Sequence, residues 1–165
     1  MIRAEGCQSV DVFPFRSPCA RVRQFRFRID NVIEQEHPEI IISEPPGNCL
    51  EVSSPMMNPF CLVRDGSVTL GPLITVIRSQ DLLEKGASRK STESFRNHNM
   101  IYESDAVILT FADSLNDDDR KSLRGIVASV NPDARIVFFS EGGEGAEEVS
   151  DLVFGDSVYR RPLEN

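Results

Sequence analysis

The chain has 165 residues, 40% of them hydrophobic, and a formal net charge of −8 at pH 7. This size is typical of a single globular domain. The acidic balance argues against nucleic acid or an anionic membrane as the main partner, because phosphate binding requires a positive field. No apolar run approaches the ~20 residues of a membrane helix. The start of the chain lacks the apolar core of a signal peptide, so we expect a cytoplasmic protein.

Positive charge is concentrated at the start of the chain. Residues 1–28 contain six arginines and two acidic residues, a net charge of +4, whereas the remainder carries −12. Such a patch on an acidic protein indicates a site for a protein partner, and the alternative is a solvated helix face. The arginines predicted for the partner site are Arg16, Arg21, Arg23 and Arg26.

The four cysteines, Cys7, Cys19, Cys49 and Cys61, form no CxxC pair. Their spacing fits neither a secreted disulfide framework nor a zinc knuckle. One interpretation is that they are reduced thiols packed as small hydrophobic side chains. The other is that Cys7, Cys19 and Cys49 converge in space to bind a transition metal.

Short apolar runs alternate along the chain with segments of helical periodicity. A first helix is predicted from about residue 23 to residue 33, although Phe25, Phe27 and Ile29 also alternate with arginines as in a strand. Further helices are predicted within 79–103, broken near Gly86, and over 146–152. The segments predicted as buried strands are 40–42, 73–77, 106–110 and 135–139.

The helix before the last predicted strand has the clearest pattern. Its apolar stripe runs from Leu123 to Val130, and three aspartates at 117–119 occupy the first turn, where the helix dipole favours carboxylates. Asn116 precedes them as a capping residue, and Asn131-Pro132 ends the helix.

Strand runs that are apolar on both faces are typical of parallel strands covered by helices on both sides. We therefore predict an α/β protein with three layers and a mostly parallel sheet. Ligands of such sheets bind beyond the carboxyl ends of the strands. Two carboxylates stand at such positions, Glu44 and Asp113. Glu44 begins a stiff Glu-Pro-Pro-Gly turn in which Gly47 permits a close backbone approach, or it is a solvated turn residue.

Asp113 also has two interpretations. Its carboxylate could accept two hydrogen bonds from a ligand edge such as the paired N–H groups of guanine. Alternatively, it caps the helix that follows. Nucleophilic catalysis has no support, because His37 and His98 are isolated from any triad-like motif.

Three segments together resemble the CobW-like GTPases, which are relatives of the UreG and HypB nickel-insertion GTPases. Residues 38–47 read PEIIISEPPG, residues 104–113 read SDAVILTFAD, and residues 130–136 read VNPDARI. In that family one strand ends in an E-x-x-G element near the γ-phosphate, a later strand ends in an NKxD-type loop that reads guanine, and the next helix runs into NP-x-A-x-I. The resemblance spans roughly residues 20–142, between a leading segment at 1–20 and a tail at 143–165.

The resemblance implies roles for matching residues. Glu44 and Gly47 match the element near magnesium-bound phosphate, and Asp113 matches the guanine-reading Asp. The chain departs from the family at Thr110-Phe111, which replaces the Asn and Lys of NKxD, and at Arg78, where relatives usually have an Asp. Cys19 alone remains of the family's CxCC motif. The sequence contains no GxxxxGK[ST], the loop that cradles phosphates in these proteins.

The resemblance therefore implies a G-domain-like fold in which the first strand and the P-loop are missing. We expect a degenerate or truncated family member with an accessory or interaction role in metal or corrinoid-cofactor handling, and without autonomous GTP hydrolysis. The alternative is a GTP-binding metallochaperone completed by a partner or by an N-terminal P-loop segment. A protein partner or a homo-oligomer is expected, and the candidate ligands are GTP with Mg²⁺ or a transition metal.

Overall fold

The computed structural model describes residues 22–45, 57–61, 68–88 and 90–155. Its elements in chain order are α1 (Val22–Glu36), α2 (Asn58–Cys61), β1 (Ile74–Arg78), α3 (Ser79–Lys85), α4 (Thr92–Glu103), β2 (Ala106–Thr110), α5 (Asp117–Val130), β3 (Arg135–Phe139) and α6 (Ala146–Phe154). A turn of 3₁₀ helix at Ala112–Ser114 lies between β2 and α5. Within these ranges, no helix is both long and apolar enough to cross a membrane.

The three strands form one parallel sheet in the order β1-β2-β3. Ile74 pairs with Ala106, which pairs with Arg135, so the three strands begin at the same level of the sheet. The sequence prediction of an α/β protein with a parallel sheet is confirmed, and the three strands lie within one residue of their predicted positions. Because the strands are parallel and in register, their carboxyl ends also meet at one edge.

Helices cover the two faces of the sheet unequally. The larger core joins one face to α3, α4 and α5, and its fully buried side chains are Leu82, Ile101, Val107, Leu109, Ala112, Leu123 and Val127. On the other face, Leu152 of α6 packs against Ala106, Ile108 and Val137. Val76 lies on this second face and is 57% exposed, because α6 covers the β3 side of the sheet.

The helix α5 begins and ends as its sequence predicts. The side chain of Asn116 accepts a hydrogen bond from the backbone N–H of Asp119 at 2.8 Å, and the Asp119 side chain accepts one from the Asn116 N–H at 3.3 Å. This reciprocal cap satisfies two N–H groups of the first turn. Leu123 and Val127 are fully buried on the face toward the sheet.

The first helix forms as predicted, rather than the alternative strand. Phe25 and Ile29 of α1 are buried and pack with Ile33 and with Phe60 of α2. The Phe25 and Phe60 rings meet edge to face, with their centroids 5.9 Å apart. Phe27, on the opposite side of α1, is 65% exposed.

The prediction of a buried strand at 40–42 is wrong. Residues 40–45 have no regular structure, and Ile40, Ile41 and Ile42 are 50%, 39% and 72% exposed. A strand needs a neighbour that pairs with its backbone groups, and the sheet of the described residues has β1 at one edge and β3 at the other. An apolar run alone does not supply that neighbour.

Polar side chains at the amino end of the sheet hydrogen-bond within the protein. The Asn131 amide donates to the carbonyls of Ile101 at 3.1 Å and Ser104 at 2.8 Å. The Asp105 carboxylate accepts from the Leu73 backbone N–H at 2.8 Å. The Ser104 hydroxyl donates to Thr75 Oγ1. These groups join the turns that precede the three strands.

Candidate functional site

The candidate site lies at the carboxyl edge of the sheet, where the chain leaves each of the three strands. Arg78 ends β1, and the loops after β2 and β3 span 111–116 and 140–145. The Ser79 hydroxyl donates to the Thr110 carbonyl at 2.7 Å and so joins the ends of β1 and β2. This edge is the usual ligand position in parallel sheets.

Asp113 lies in the 3₁₀ turn directly after β2, and its side chain is exposed. The interpretation of Asp113 as the cap of α5 is wrong, because Asn116 makes that cap. Neighbouring groups fix the turn, since the Ser114 hydroxyl and backbone N–H both donate to the Phe111 carbonyl. In the part of the chain that the structure describes, the Asp113 carboxylate has no hydrogen bond or ion pair, so it is free to accept from a ligand.

Phe111 is in an unusual position for an aromatic residue. Its φ of 59° places it in the left-handed region, and its ring is 49% exposed at the site. The Arg78 guanidinium lies 5.0 Å from the ring centroid, within cation–π range. A non-glycine residue in this region carries backbone strain, which structures retain most often at functional sites.

The loop after β3 turns back over the strand. The Ser140 N–H donates to the Glu144 carbonyl, and the Gly143 N–H donates to the Ser140 carbonyl, both at 3.1 Å. Gly145 has a φ of +75°, and a Cβ atom there would stand 2.1 Å from the Phe138 carbonyl oxygen. The loop conformation therefore requires glycine at this position.

Arg120 of α5 links the two loops. Its Nη1 donates to Glu144 Oε1 at 2.6 Å, and its Nη2 donates to Glu144 Oε2 at 2.9 Å and to the Ala112 carbonyl at 2.9 Å. The guanidinium also lies 4.8 Å from the centroid of the Phe138 ring. The hydrogen bond with Glu144 raises the pKa of Arg120, and it lowers the pKa of the Glu144 carboxyl. Both groups are therefore charged over the physiological range.

A cavity of about 320 Å³ lies beside this link, along β3 and between α5 and α6. Its charged lining residues are Arg120, Arg124, Arg135, Glu144 and Glu148. Asp113 and Phe111 do not line it, so the cavity borders the loop after β3 and not the turn that contains Asp113. Arg120 already pairs with Glu144, and Arg135 pairs with Asp151 at 3.1 Å.

The other residues predicted to contact a nucleotide are Glu44 and Gly47. Glu44 is exposed in the irregular segment 40–45. Gly47 lies outside the described residues. The predicted role of Glu44 and Gly47 near a phosphate remains a prediction.

The predicted metal and partner residues fall mostly outside the described ranges. Cys7, Cys19, Cys49, Arg16 and Arg21 all lie there. Within the ranges that are described, no group of three or more His, Cys, Asp and Glu residues could hold a metal ion.

Two of the predicted partner residues belong to α1. Arg23 lies in its first turn. Arg26 is half-buried, with Nε 3.4 Å from Asp30 Oδ2 and its guanidinium 5.7 Å from the centroid of the Phe60 ring. The guanidinium of Arg26 therefore serves packing within the chain, and its role in partner binding remains a prediction.

Sequence reasoning missed Arg120, Glu144 and Phe111. Arg120 and Glu144 are 24 residues apart, and no spacing rule pairs a helix residue with a loop at that separation. Phe111 entered the sequence analysis only as a departure from the NKxD pattern, and nothing in the sequence indicated its left-handed backbone.

Comparisons with known proteins add no relative. No family model, no curated protein and no solved structure matches the chain. The proposal below therefore depends on the motifs of the sequence and on the geometry of the carboxyl edge.

Proposed function

We propose that the chain is an accessory domain related to the CobW-like GTPases, with a role in metal or corrinoid-cofactor handling. In this proposal it keeps the loops that contact a nucleotide base and does not hydrolyse GTP alone. One observation carries the proposal: the exposed Asp113 carboxylate directly follows the central strand, at the ligand edge of a parallel sheet.

The chemistry of Asp113 suits a base with two adjacent N–H groups. An ionised carboxylate has two acceptor oxygens and can accept a hydrogen bond on each of them. The exposed ring of Phe111 adds an aromatic face on which a planar base can stack. Phe111 and Thr110 stand where the family has Lys and Asn, so we propose weaker selectivity for guanine than in the family.

In this proposal the chain does not hydrolyse GTP alone, because its sequence lacks a motif that binds the phosphates. The sequence contains no GxxxxGK[ST], so it lacks the backbone cradle, the Lys and the Mg²⁺-binding hydroxyl of that motif. Base contacts alone neither neutralise the β- and γ-phosphates nor position a water molecule. In this proposal the domain binds the base weakly and depends on another protein for any reaction at the phosphates.

A second candidate is a GTP-binding metallochaperone that a partner completes. The observation that favours it is the outer edge of β1, which has no neighbouring strand among the described residues. Val76 of this strand is 57% exposed. An unpaired strand edge can accept a further strand through its backbone hydrogen bonds. This candidate predicts tighter nucleotide binding when a P-loop-bearing partner is added.

Titration of the isotope-labelled protein with guanosine, followed by amide NMR, tests the base site. We expect shifts confined to residues 110–116 and 140–145, with a Kd on the order of 1 mM, because only base and sugar contribute. Asp113→Asn should weaken binding at least roughly tenfold, since it removes the charged acceptor. Asp133→Asn is the matched control, because Asp133 is an exposed carboxylate at the opposite end of the sheet.

The same titration with adenosine measures selectivity, and phosphate release from GTP measures hydrolysis. Adenosine should bind roughly tenfold more weakly than guanosine, because both purines can stack on Phe111 but adenine has no paired N–H groups for Asp113. Guanosine shifts that avoid residues 110–116 would contradict the proposed site. Steady GTP hydrolysis by the isolated chain that Asp113→Asn slows would contradict the accessory role.

A further inference from the structure

We propose that Arg120 and Glu144 are a positioning pair for the base site, which hold the loops after β2 and β3 in one relative arrangement. This inference rests on the proposed function, because the arranged loops are those that would contact the base. Neither residue is proposed to touch the ligand. Their effect on it passes through Ala112, which precedes Asp113, and through the loop at 140–145.

The contacts of Arg120 connect three elements through one rigid group. Its two terminal nitrogens make three hydrogen bonds of 2.6 to 2.9 Å, two to the Glu144 carboxylate and one to the Ala112 carbonyl. The acceptors belong to the loop after β3 and the turn after β2, and Arg120 itself belongs to α5. A planar guanidinium with fixed donors transmits a displacement of one loop to the other.

Packing on Phe138 restricts the guanidinium further. The guanidinium carbons of Arg120 and Arg124 each lie 4.8 Å from the centroid of the Phe138 ring. Phe138 is itself buried in the larger core, so it is a fixed surface. The Arg120 side chain is 27% exposed, less than any other cationic group in the ion pairs of the described residues.

The pair between Arg135 and Asp151 shows what an ordinary surface contact looks like in this protein. It has a single contact of 3.1 Å, and its side chains are 44% and 60% exposed. It joins the first residue of β3 to α6, away from the carboxyl edge. Removal of such a pair has little effect on stability or on distant loops. Arg135→Ala is therefore the matched control for Arg120→Ala.

The first measurement needs no ligand. Amide hydrogen exchange of residues 111–116 and 140–145 should rise roughly fivefold or more in Arg120→Ala, because both loops lose their shared anchor. The exchange rates in Arg120→Lys should lie between those of the wild type and Arg120→Ala, since an ammonium cannot make the paired hydrogen bonds that join Glu144 to Ala112. Arg135→Ala should leave exchange in both loops unchanged.

The second measurement is guanosine affinity by NMR titration. Arg120→Ala should weaken binding roughly tenfold, while the midpoint of urea unfolding stays close to that of Arg135→Ala. The double variant Arg120→Glu with Glu144→Arg should not recover the affinity, because it restores the ion pair but leaves no donor for the Ala112 carbonyl. Full recovery in the double variant would contradict the role of the contact with Ala112.

The outcomes separate this inference from the proposed function. If the wild type binds guanosine and Arg120→Ala matches Arg135→Ala in both measurements, the positioning role is wrong. If the wild type binds no guanosine, the proposed base site is wrong. In that case, amide hydrogen exchange still tests whether the Arg120–Glu144 pair fixes the two loops. Unchanged exchange in Arg120→Ala would show that the pair does not fix them, and faster exchange in both loops would support that role.

Discussion

The two ends of the parallel sheet place polar residues in different environments. At the amino end, Ser104 and Asn131 are buried, and their side chains hydrogen-bond to backbone or side-chain groups of the protein. At the carboxyl end, the charged side chains of Arg78 and Asp113 are exposed around the loops, although Ser79 is buried and donates to the Thr110 carbonyl. Ser104 and Asn131 therefore stabilise the fold, whereas the Asp113 carboxylate makes no hydrogen bond or ion pair with the described residues.

Two residues of the motifs that resemble the family have structural roles at the amino end of the sheet. Asn131 begins the NP-x-A-x-I element of the family resemblance, and its amide bridges the turns before β2 and β3. Asp105 precedes the second motif strand and accepts from the Leu73 N–H. Both residues have a structural reason to be present. Within residues 104–113, the residues with a proposed role in ligand binding are Phe111 and Asp113.

The largest expected effect is a loss of stability at Gly145, and it tests whether every position at the carboxyl end tolerates substitution. Gly145→Ala should destabilise the protein by more than ~2 kcal/mol, because left-handed backbone disfavours a Cβ and that Cβ would meet the Phe138 carbonyl at 2.1 Å. Urea unfolding at 25 °C measures this loss as a change in the free energy of unfolding.

Gly143→Ala is the matched control for Gly145. Gly143 also has a positive φ, +98°, but no atom lies within 4 Å of the Cβ that would be added. Gly143→Ala should lower the free energy of unfolding by about 1–2 kcal/mol, because only the left-handed backbone disfavours the added Cβ. Equal losses in the two variants would show that the close approach at Gly145 does not constrain the loop.

The next effect compares the two ends directly. Asn131→Ala should lower the free energy of unfolding by about 1–3 kcal/mol, because it removes the donor to three backbone carbonyls at a buried position. Asp113→Asn should change it by less than ~0.5 kcal/mol, since the side chain is exposed. A larger loss in Asp113→Asn than in Asn131→Ala would reverse the comparison.

The smallest effect is the response of the carboxyl end to acid. The pKa of Glu144 is lowered in the folded protein from its usual value of 4.5, by its hydrogen bond with Arg120. The stabilisation is therefore complete above pH 4.5 and is lost as the pH falls through the lowered pKa. For a partly exposed pair the loss should stay below ~1 kcal/mol.

Amide shifts of residues 140–145, followed from pH 6 to pH 3, measure this acid response. They should change in the wild type and change less in Glu144→Gln, which lacks the Glu144 carboxyl and keeps only that of Glu141 in this segment. Identical pH curves in both proteins would assign the transition to another carboxylate and contradict the stabilisation by the Arg120–Glu144 pair.

The sequence predicted the sheet well because local pattern and tertiary context agree there. The runs at 106–110 and 135–139 are continuous and β-branched or aromatic, and helices with apolar stripes flank them. The cap by Asn116 was also predictable, since it depends on residues three positions apart. The Ile40–Ile42 run has the same composition but stays outside the sheet, because strand formation depends on a neighbour that the run itself does not encode.

The arrangement of the site was less predictable than the fold. Asp113 was identified from its position after a strand, and the cap by Asn116, which was also predicted, leaves no capping role for Asp113. The link between Arg120 and Glu144 depends on how α5 lies over the loop after β3, which is a tertiary property. The left-handed conformation of Phe111 contradicts the usual preference of aromatic residues, so local propensity argues against it.

The exposed Ile40–Ile42 segment has a consequence for association between chains. Three consecutive isoleucines in an open segment favour intermolecular β-pairing, the first step of aggregation. The segment is bounded on both sides by a carboxylate and a proline, Glu39 and Pro38 before it and Glu44 and Pro45 after it. Like charges repel stacked copies, and proline lacks the N–H that would extend a ladder. The residues around this apolar run thus act as gatekeepers that limit its self-assembly.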